Sequence, residues 1–440
     1  MNDYEFGNYL TELRRKAGMT QQLLAYKLGV TDKAVSKWGN GRSKPSLKQL
    51  RKLSAIFEIT IEEMLAMQER KDRMEITKIV LTGGPCAGKT TAMSWIQKEF
   101  AEKGRGYKVL FIPETATELI GGGVSPWTCG SNLDYQKCQM KLQKAKEEVF
   151  EQAAKTMDTS KVLIVCDRGM LDNKAYMTQQ EFDAAMRALD TNEVEERDQY
   201  DGVFHLVTAA KGAIDAYTTA GHAARRETPE QAAALDDKLI AAWTGHPHLR
   251  VIDNSTDFED KLRRLVAEIA ALLGEPEPME IERIYLIKYP DLQALEDKPN
   301  CDKVDIIQTY LMSPEGTEIR VRQRGQNGNY LFYRTEKRRI SDVSRVETER
   351  RISQKEYLAA LVEADPERKP IYKTRYLLTE NNRYFEIDIF PGWKKQAIME
   401  LELKSEDEKI VMPEGITIIK EVTDDLEYSN YSMAISMPEE

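Results

Sequence analysis

The 440 residues, an apolar fraction of 41% and five scattered cysteines describe a globular chain long enough for several domains. No run approaches the roughly 18 apolar residues of a membrane span, and the cysteines form neither CxxC pairs nor a disulfide framework, so a cytoplasmic protein is expected. The net charge of −10 excludes a chain that coats nucleic acid along its whole length, but residues 1–70 carry 12 basic and 8 acidic residues. Only this first segment is biased toward DNA.

Residues 1–68 are predicted to form a compact all-α bundle. Apolar residues recur at helical spacing in short blocks that are separated by glycines and a proline. Thr20 and Thr31 are placed to cap two successive helices, with a turn at Gly29 between them. This is the spacing of a helix-turn-helix.

The segment also resembles the Cro/repressor (XRE) helix-turn-helix family. The resemblance lies in Gly18-Met-Thr-Gln-Gln-x2-Ala-x2-Leu-Gly-Val30 and in Val35-Ser-Lys-Trp-x2-Gly-Arg-x2-Pro45. It implies that the second helix enters the major groove and that a homodimer binds a palindrome. An interaction module that never meets DNA is the alternative. The implied DNA contacts are Gln21, Thr31, Asp32, Lys33, Ser36, Lys37 and Arg42.

A phosphate-binding loop is predicted directly after an apolar strand that begins at Lys78. The sequence Gly83-Gly-Pro-Cys-Ala-Gly-Lys-Thr90 has the spacing of a P-loop. Its backbone amides can surround a phosphate chain, Lys89 can reach the terminal phosphates, and the Thr90 hydroxyl can hold Mg²⁺ or Mn²⁺. ATP or GTP is the predicted ligand, and an ordinary glycine-rich turn is the alternative. The predicted nucleotide contacts are Gly83, Gly84, Pro85, Cys86, Ala87, Gly88, Lys89, Thr90 and Thr91.

Residues 76–273 are predicted to form an α/β domain with a parallel sheet, because apolar strands alternate with helices. Glu114 and Asp167 each follow a strand, at the edge of the sheet where ligands bind. We expect Asp167 to hold the metal or a water and Glu114 to act as a base, with a helix-capping role as its alternative. Lys89 and Arg168, with Arg225 and Arg226 of a predicted lid, would supply the cations that phosphoryl transfer needs. A solvated charge pair is the alternative for Arg225 and Arg226.

The strand-end Glu114 and the Asp167-Arg168 turn resemble the NadR-like AAA family, relatives of nucleoside kinases. The run Leu235-Asp-x6-Trp-x-Gly-His-Pro247 with Val251-Ile-Asp-Asn254 is similar to the TRPL translocation defect protein family, in which a P-loop domain precedes a CYTH domain. This resemblance implies that Asp253 and Asn254 lie by the nucleotide base and that GTP is a candidate ligand.

Residues 279–437 are predicted to form an antiparallel β-barrel with helices. Charged residues recur with a period of two, as in Arg320-x-Arg-x-Arg324 and Glu400-x-Glu402. Residues two apart on a strand share one face, so each strand presents one charged and one apolar face. An ordinary sheet with one wet side is the alternative.

The runs Glu280-Ile-Glu282, Arg345-x-Glu-x-Glu349 and Glu400-x-Glu402 resemble the CYTH family, the triphosphate tunnel fold. The resemblance implies a triphosphorylated small molecule as ligand, although Ile284 stands where the family has a lysine and leaves triphosphatase activity open. The implied phosphate contacts are Arg320, Arg322, Arg324, Lys337, Arg345, Lys373 and Arg375. The implied metal ligands are Glu280, Glu282, Glu347, Glu349, Asp388, Glu400 and Glu402.

Together these patterns predict a multi-domain, nucleotide-responsive DNA-binding regulator without a membrane span. One alternative is a nucleoside-type kinase or an inorganic triphosphatase whose helix-turn-helix only dimerises. Another is an adaptor that binds GTP and a phosphoinositide or polyphosphate. The choice between ATP and GTP, the phosphoryl acceptor, the DNA operator and the oligomeric state stay open at this point.

Overall fold

A computed structural model describes residues 10–11, 13–14, 17, 19–39, 43–57, 74–102, 105–214, 217, 227–274, 281–314, 317–339, 345–403 and 410–439. The chain forms two compact units, Met1–Ile76 with Ala153–Val162 and Thr77–Gln152 with Leu163–Glu440. The second unit holds two sheets. We name residues 77–274 the P-loop half and residues 281–439 the sheet half. The predicted boundaries 1–68, 76–273 and 279–437 stay predictions.

Three helices of the N-terminal unit enclose a small apolar core. They are α1 (Gln21–Leu28), α2 (Asp32–Gly39) and α3 (Leu47–Phe57). The Thr20 hydroxyl accepts a hydrogen bond from the Leu23 amide and the Thr31 hydroxyl accepts one from the Ala34 amide, so both predicted caps are confirmed. Gly29 ends α1 with a φ of 69°, the left-handed conformation that favours glycine. The core residues are Leu10, Leu24, Ala25, Leu28, Val35, Trp38 and Leu53.

The P-loop half contains the predicted parallel sheet, in the order β2-β3-β1-β4-β5. Its strands are β1 (Glu75–Thr82), β2 (Tyr107–Ile112), β3 (Lys161–Asp167), β4 (Gly202–Leu206) and β5 (Leu249–Ile252). The helices are α4 (Lys89–Ile96), α5 (Thr115–Gly121), α6 (Asn132–Ala154), α7 (Gln179–Ala188), α8 (Glu193–Arg197), α9 (Pro229–Trp243) and α10 (Phe258–Leu272). A π-helical turn, Gln97–Glu102, extends α4, and a 3-10 helix, Met170–Tyr176, follows β3.

The carboxyl ends of these strands bring several loops to one edge of the sheet. β1 ends at Thr82, before residues 83–88, and β3 ends at Asp167. β4 and β5 end at Leu206 and Ile252. Ligands of parallel α/β sheets bind at this edge, so the fold places the predicted P-loop and Asp167 where a ligand is expected.

The sheet half is an antiparallel sheet in the order β10-β9-β8-β7-β11-β12-β13-β6-β14. Its strands are β6 (Ile281–Lys288), β7 (Cys301–Leu311), β8 (Thr317–Gln326), β9 (Asn329–Arg339), β10 (Arg345–Ile352), β11 (Ile371–Glu380), β12 (Arg383–Ile389), β13 (Gln396–Leu403) and β14 (Ile418–Glu421). Short helices α11 (Leu292–Glu296), α12 (Gln354–Ala360) and α13 (Asn430–Met433) accompany it. Within the described ranges β10 and β14 end this order, so closure into a barrel stays a prediction.

The predicted alternation of charged and apolar faces is confirmed in this sheet. Ile387 and Leu401 pack in one apolar cluster, while the register sets Arg375 opposite Asp388 and Glu386 opposite Glu400. We name the other side the charged face. Its members include Glu282, Arg320, Arg322, Arg324, Glu349, Lys373, Arg375, Glu386, Asp388, Glu400 and Glu402.

Candidate phosphate-binding sites

The loop between β1 and α4 has a backbone that requires glycine. Gly83 and Gly88 have φ values of 145° and 93°, where other residues are strained. A side chain at Gly83 would overlap the carbonyl oxygen of Leu206, and a Cβ at Gly84 would lie 2.9 Å from Oδ1 of Asp236. The loop therefore runs close to β4 and α9, and it leads into the amino-terminal end of α4, which favours anions.

Lys89 begins α4 and directs its ammonium toward the end of β3, 3.7 Å from Oδ1 of Asp167. Burial lowers the pKa of Lys89, and the nearby Arg168 guanidinium lowers it further. Burial raises the pKa of Asp167, although Lys89 opposes that shift. Lys89 is thus a half-buried cation whose charged form is disfavoured by burial, and the negative charge of a phosphate chain would stabilise it.

Thr90 and Asp167 offer the hard oxygen ligands that Mg²⁺ prefers. Thr90 is exposed at the second position of α4. Oδ1 of Asp167 is buried and accepts no hydrogen bond from the described residues. Such an oxygen is unusual in a folded protein and fits a cation ligand. One or two protein ligands are usual where Mg²⁺ binds together with a nucleotide, so these residues fit the ion.

Arg168 follows β3 in the left-handed region, with a φ of 71°, which is strained for this residue type. Its Nε donates to Oε1 of Glu114 at 2.5 Å and its Nη1 donates to Oδ1 of Asp172 at 3.2 Å. Burial opposes ionisation of Glu114, but Arg168 and Lys89 outweigh it and lower its pKa to about 2. Glu114 also accepts a hydrogen bond from the Thr117 hydroxyl and makes no side-chain cap of α5. The predicted base is held as an ion-pair partner, and its catalytic role stays a prediction.

Asp236 of α9 accepts a hydrogen bond from the P-loop backbone, a role that the sequence patterns did not reveal. Its Oδ1 accepts hydrogen bonds from the amides of Gly84 at 2.9 Å and Thr208 at 3.2 Å, and lies 2.9 Å from Nε2 of His205. Its Oδ2 accepts one from Lys211 at 3.0 Å. Burial opposes the charge, yet His205 and Lys211 hold the pKa of Asp236 well below its ordinary value. The carboxylate therefore fixes a loop amide far away in sequence.

Asp253 and Asn254, predicted to lie near the nucleotide base, make local contacts at the end of β5. Oδ1 of Asp253 accepts a hydrogen bond from Arg264 at 2.8 Å. Nδ2 of Asn254 donates to the Thr208 carbonyl at 2.8 Å, and its Oδ1 accepts from Nζ of Lys261 at 2.7 Å. Asn254 thus holds the loop after β4, and contact of either residue with a base stays a prediction.

Lys261 of α10 ties this segment to the P-loop. Its ammonium donates to the Val207 carbonyl at 2.6 Å and to the Ala87 carbonyl at 3.4 Å, in addition to Asn254. Burial lowers the pKa of Lys261 to about 8, while Asp236 opposes the shift. One buried ammonium therefore connects the end of β5, the loop after β4 and the phosphate-binding loop.

On the charged face, Arg375 is the centre of an ion cluster. It binds Asp388 in bidentate fashion, Nε to Oδ1 at 2.6 Å and Nη2 to Oδ2 at 2.7 Å. It also donates to Glu400 at 2.6 Å and to Glu386, while Lys373 donates to Asp388 at 2.5 Å. Burial opposes the Asp388 charge, but these two cations lower its pKa to about 2. In this cluster Lys373 and Arg375, which were predicted to bind phosphate, instead bind Asp388 and Glu400, which were predicted to bind a metal ion.

A second ion pair on the charged face joins Arg322 to Glu349. The Thr335 hydroxyl donates to the same carboxylate at 2.7 Å. Burial opposes the charge of Glu349, but Arg322 and its other cationic neighbours lower its pKa to about 2. Arg320 lies opposite Thr335 in the register, and Lys337 follows two residues later on β9. The structure thus brings Arg320, Arg322 and Glu349 to one part of the face.

Arg324 shares the period-two pattern but binds the P-loop half instead. Its Nη1 donates to Asp198 at 2.6 Å and its Nη2 donates to the Gly245 carbonyl. Arg197 completes the network, because its Nε donates to Oδ1 of Asp198 at 2.6 Å and its Nη1 donates to Oδ2 of Asp302 at 3.0 Å. Arg324 is 3% exposed and Arg197 is fully buried. Both terminal nitrogens of Arg324 are used within the chain, and its contact with a triphosphate stays a prediction.

The loop that contains Gly245 fits between the two halves. Gly245 has a φ of 113°, and a side chain there would overlap Asp302 and Arg197. The Tyr384 hydroxyl donates to the His246 carbonyl at 2.8 Å. His246 itself is fully buried. The loop therefore packs against Arg324, Asp302 and Tyr384 of the sheet half.

The carboxylates of the charged face do not fit metal ions as they stand. Arg375 holds three of them, and Arg250 of β5 contacts Glu402. Across the part of the chain that the structure describes, no group of three His, Cys, Asp or Glu residues is placed to hold a metal ion. The metal role of these acids stays a prediction.

Helix α2 presents most of the residues predicted to contact DNA. Val35 and Trp38 are buried on its inner side. Polar residues occupy its outer side and the start of α1. Gln21, Thr31, Asp32, Lys33 and Lys37 are exposed, and Ser36 is half-buried. A second helix with an exposed polar side is the arrangement that enters a major groove.

Several predicted residues fall outside the described residues. They are Arg42, Arg225, Arg226 and Glu280, while only the backbone of Arg345 and Glu347 is described. Their roles stay predictions. Among the described helices none is both long and apolar enough to cross a bilayer.

Comparisons with known proteins identify two domains. Residues 78–261 match the AAA domain family and residues 10–64 match the helix-turn-helix family. The HTH-type transcriptional activator BcrR of Enterococcus faecalis is 38% identical over 65 residues, which are 15% of this chain and 32% of that protein. The chain therefore spans about a third of the length of this relative.

Solved structures resemble separate parts of the chain. The inorganic triphosphatase NE1496 is 28% identical over 36% of this chain and 97% of its own, with a TM-score of 0.26. Thymidylate kinase from Ehrlichia chaffeensis is 13% identical over 45% of this chain and 99% of its own, with a TM-score of 0.31. The chain thus joins a helix-turn-helix domain in residues 10–64 to an AAA domain in residues 78–261, and an antiparallel sheet with a charged face follows them.

Proposed function

We propose that this protein is a nucleotide-responsive DNA-binding regulator. The observation that carries the proposal is the P-loop, where a glycine-dependent backbone, the half-buried Lys89 and the unsatisfied oxygen of Asp167 meet at the edge of a parallel sheet. A nucleoside triphosphate is the ligand class that satisfies all three features. The helix-turn-helix supplies a reader of DNA in the same chain.

Each residue of the P-loop has a separate task in this proposal. The amides at the start of α4 bind phosphate oxygens, and Lys89 neutralises the terminal phosphates. Thr90 and Asp167 would hold Mg²⁺, which when bound neutralises charge on the phosphate chain. Asp236 keeps the Gly84 amide in position through its hydrogen bond of 2.9 Å.

The charged face supports a second anionic ligand, a triphosphorylated small molecule. Arg320, Arg322 and Lys337 lie together on β8 and β9. Arginine binds phosphate in the same forked geometry that it uses for carboxylates, so a polyphosphate can replace Glu349 as the partner of Arg322. Such binding would add a second input to the regulator.

A phosphotransferase is the second candidate, and Arg168 favours it. Its guanidinium lies at the end of β3, held there by Glu114 and Asp172. A cation fixed beside Lys89 is suited to stabilise charge that develops on a transferred phosphoryl group. The strained backbone of Arg168 is typical of a functional position.

Nucleotide binding by the full chain tests the proposal. Fluorescent ATP and GTP analogues are titrated with Mg²⁺ into the wild type, Lys89→Ala and the control Lys98→Ala, whose side chain is exposed in the turn after α4. We expect Lys89→Ala to weaken binding by about 100-fold, because it removes a charge-assisted contact to phosphate. The control should stay within about two-fold. Equal affinities of the two variants would overturn the assignment of the P-loop.

Regulation and catalysis are separated by two further measurements on the same proteins. A regulator changes its affinity for DNA from upstream of its own coding sequence when nucleotide and tripolyphosphate are added. A phosphotransferase or triphosphatase forms new phosphorylated products from ATP, GTP, nucleosides or tripolyphosphate. Unchanged DNA affinity together with turnover that Lys89→Ala abolishes would replace the regulator with an enzyme.

A further inference from the structure

The aromatic ring of Phe258 packs against the phosphate-binding loop. Phe258 is the first residue of α10, and a Cβ at Gly88 would lie 2.6 Å from Cε2 of its ring. Phe258 nevertheless stays 48% exposed, although its side chain is entirely apolar. A ring that contacts the loop on one side and solvent on the other offers a surface on which a flat ligand can stack.

The order of the strands indicates on which side of the loop a nucleoside would lie. Lys89 points toward Asp167 at the end of β3, which is where the terminal phosphates bind in the proposed function. β3 and β4 are the two neighbours of β1, and β5 lies beyond β4. A phosphate chain that starts beside β3 and follows the loop therefore directs its nucleoside toward β4 and β5. Phe258 lies on this side, because it follows β5 in the chain.

Two cations of α10 hold the loop that leads from β5 to Phe258. Arg264 donates to the side chain of Asp253 at 2.8 Å and to its carbonyl at 2.7 Å. Lys261 donates to the side chain of Asn254 at 2.7 Å. The ring of Phe258 thus extends from a fixed segment, and little conformational entropy is lost when a ligand stacks on it.

The polar side chains of this loop are engaged within the chain. Asn254 uses both hydrogens of its amide, because Nδ2 donates to the carbonyls of Thr208 at 2.8 Å and Lys211 at 2.6 Å. The hydroxyl of Ser255 donates to the Asp253 carboxylate at 2.6 Å. Adenine and guanine differ in the donors and acceptors along their edges, whereas every base has a face that can stack. The loop therefore favours contact with the face of a base over contact with its edge.

We propose that Phe258 is the stacking surface for the base of the bound nucleotide, and that the site accepts adenine and guanine nucleotides alike because it holds the base by its face. The inference rests on the proposed nucleotide binding at the P-loop and names its substrate class, the purine nucleoside triphosphates. It assigns the base contact to Phe258, while Asp253 and Asn254 keep the loop in place.

Displacement of a fluorescent ATP analogue, labelled on its ribose, tests the inference with the full chain and Mg²⁺. The competitors are ATP, GTP and ribose 5-triphosphate, which carries the phosphate chain without a base. We expect the wild type to bind ATP and GTP within about five-fold of each other, and both about ten-fold more tightly than ribose 5-triphosphate.

Variants of Phe258 separate stacking from packing on the loop. Phe258→Ala should bind ATP, GTP and ribose 5-triphosphate with equal affinity, whereas Phe258→Tyr should keep the preference for the two nucleotides. The control is Tyr372→Ala, which removes an aromatic residue on β11 that is 55% exposed, and it should match the wild type.

The outcomes distinguish the inference from the proposed function. If Phe258→Ala weakens the binding of ATP and ribose 5-triphosphate equally, the ring only packs on Gly88 and the inference is overturned. A wild-type preference between ATP and GTP of more than about five-fold would also overturn it, because the edge of the base would then be read. Equal binding of all three competitors by the wild type removes the inference and leaves phosphate binding at the P-loop standing. A wild type that binds neither the analogue nor any competitor removes the proposed function itself.

Discussion

The carboxylate of Asp236 and the backbone amide of Gly84 lie 2.9 Å apart, although 152 positions separate them in the chain. The phosphate-binding loop is therefore held by α9, a helix that follows β4 in the chain. Local spacing sets the shape of the loop, and a distant buried charge keeps it in place.

Replacing Asp236 should disturb both stability and nucleotide binding. Asp236→Ala leaves the Gly84 and Thr208 amides without their buried acceptor, so we expect the free energy of unfolding to fall by about 3 kcal/mol and nucleotide affinity to fall by about ten-fold. The control is Asp237→Ala, because Asp237 is its neighbour and its side chain is 72% exposed. Urea unfolding and nucleotide titration measure the two effects. Equal behaviour of the two variants would contradict the supporting role.

A pair of glycine substitutions separates backbone strain from the packing between the halves. Gly274 has a φ of 72° with open space around it, so Gly274→Ala should cost about 1 kcal/mol of stability from strain alone. Gly245→Ala adds a clash with Asp302 and Arg197 to the same kind of strain, and should cost about 3 kcal/mol or more. Thermal unfolding of both variants gives the comparison. Similar losses would show that the loop at Gly245 tolerates a side chain.

The Asp198 carboxylate should make the stability of the protein sensitive to acid. Its pKa is about 2 because Arg197 and Arg324 outweigh burial, against about 4 in an unfolded chain. A pKa lowered by folding means that the stabilisation is present above pH 4 and is lost as the pH falls from 4 to 2. The loss should reach roughly 2 kcal/mol. Urea unfolding between pH 6 and 2 measures this loss. We expect Asp198→Asn to be less stable than the wild type at pH 6, and its free energy of unfolding to fall less steeply as the pH is lowered. Parallel curves for the two proteins would contradict the prediction.

Substitutions on α2 test the DNA interface of the full chain. Lys33→Ala and Lys37→Ala should each weaken binding to a duplex from upstream of the coding sequence by about ten-fold, because each removes a contact to a base edge or phosphate. A lost phosphate contact also lowers, by about one, the slope of the logarithm of the binding constant against the logarithm of the salt concentration. A lost base contact leaves this slope unchanged. Lys355→Ala, exposed on α12, controls for net charge. Unchanged affinity in both α2 variants would speak for an interaction module.

The sequence predicted those features that local spacing determines. The P-loop spacing placed Lys89 and Thr90 at the start of α4, and the period of two on β13 placed Glu400 and Glu402 on one face. Thr20 and Gly29 marked the ends of α1 because caps and left-handed turns depend on single residue types. These features need no knowledge of distant contacts.

Features that depend on distant contacts could not be predicted. Arg324 has the same spacing as Arg320 and Arg322, and only the approach of Asp198 and the Gly245 loop turns it into a link between halves. Arg250 is a single charge on a strand of four residues, with no pattern to connect it with Glu402. Charge patterns identify a face, but the partners of each charge depend on which element packs against that face.

The buried network of Arg197, Asp198 and Arg324 has a consequence for how such a chain can be divided. A break between residues 274 and 281 would separate Arg324 of the sheet half from Asp198 of the P-loop half. Asp198 would keep Arg197 as its partner, and Arg324 would lose its carboxylate partner. In the separated pieces these groups would face water instead of each other, so the charges would be hydrated and the tie between the halves would be lost. Genes that encode the two halves separately should therefore carry different residues at positions 198 and 324, which makes these two positions a signature of the fused form.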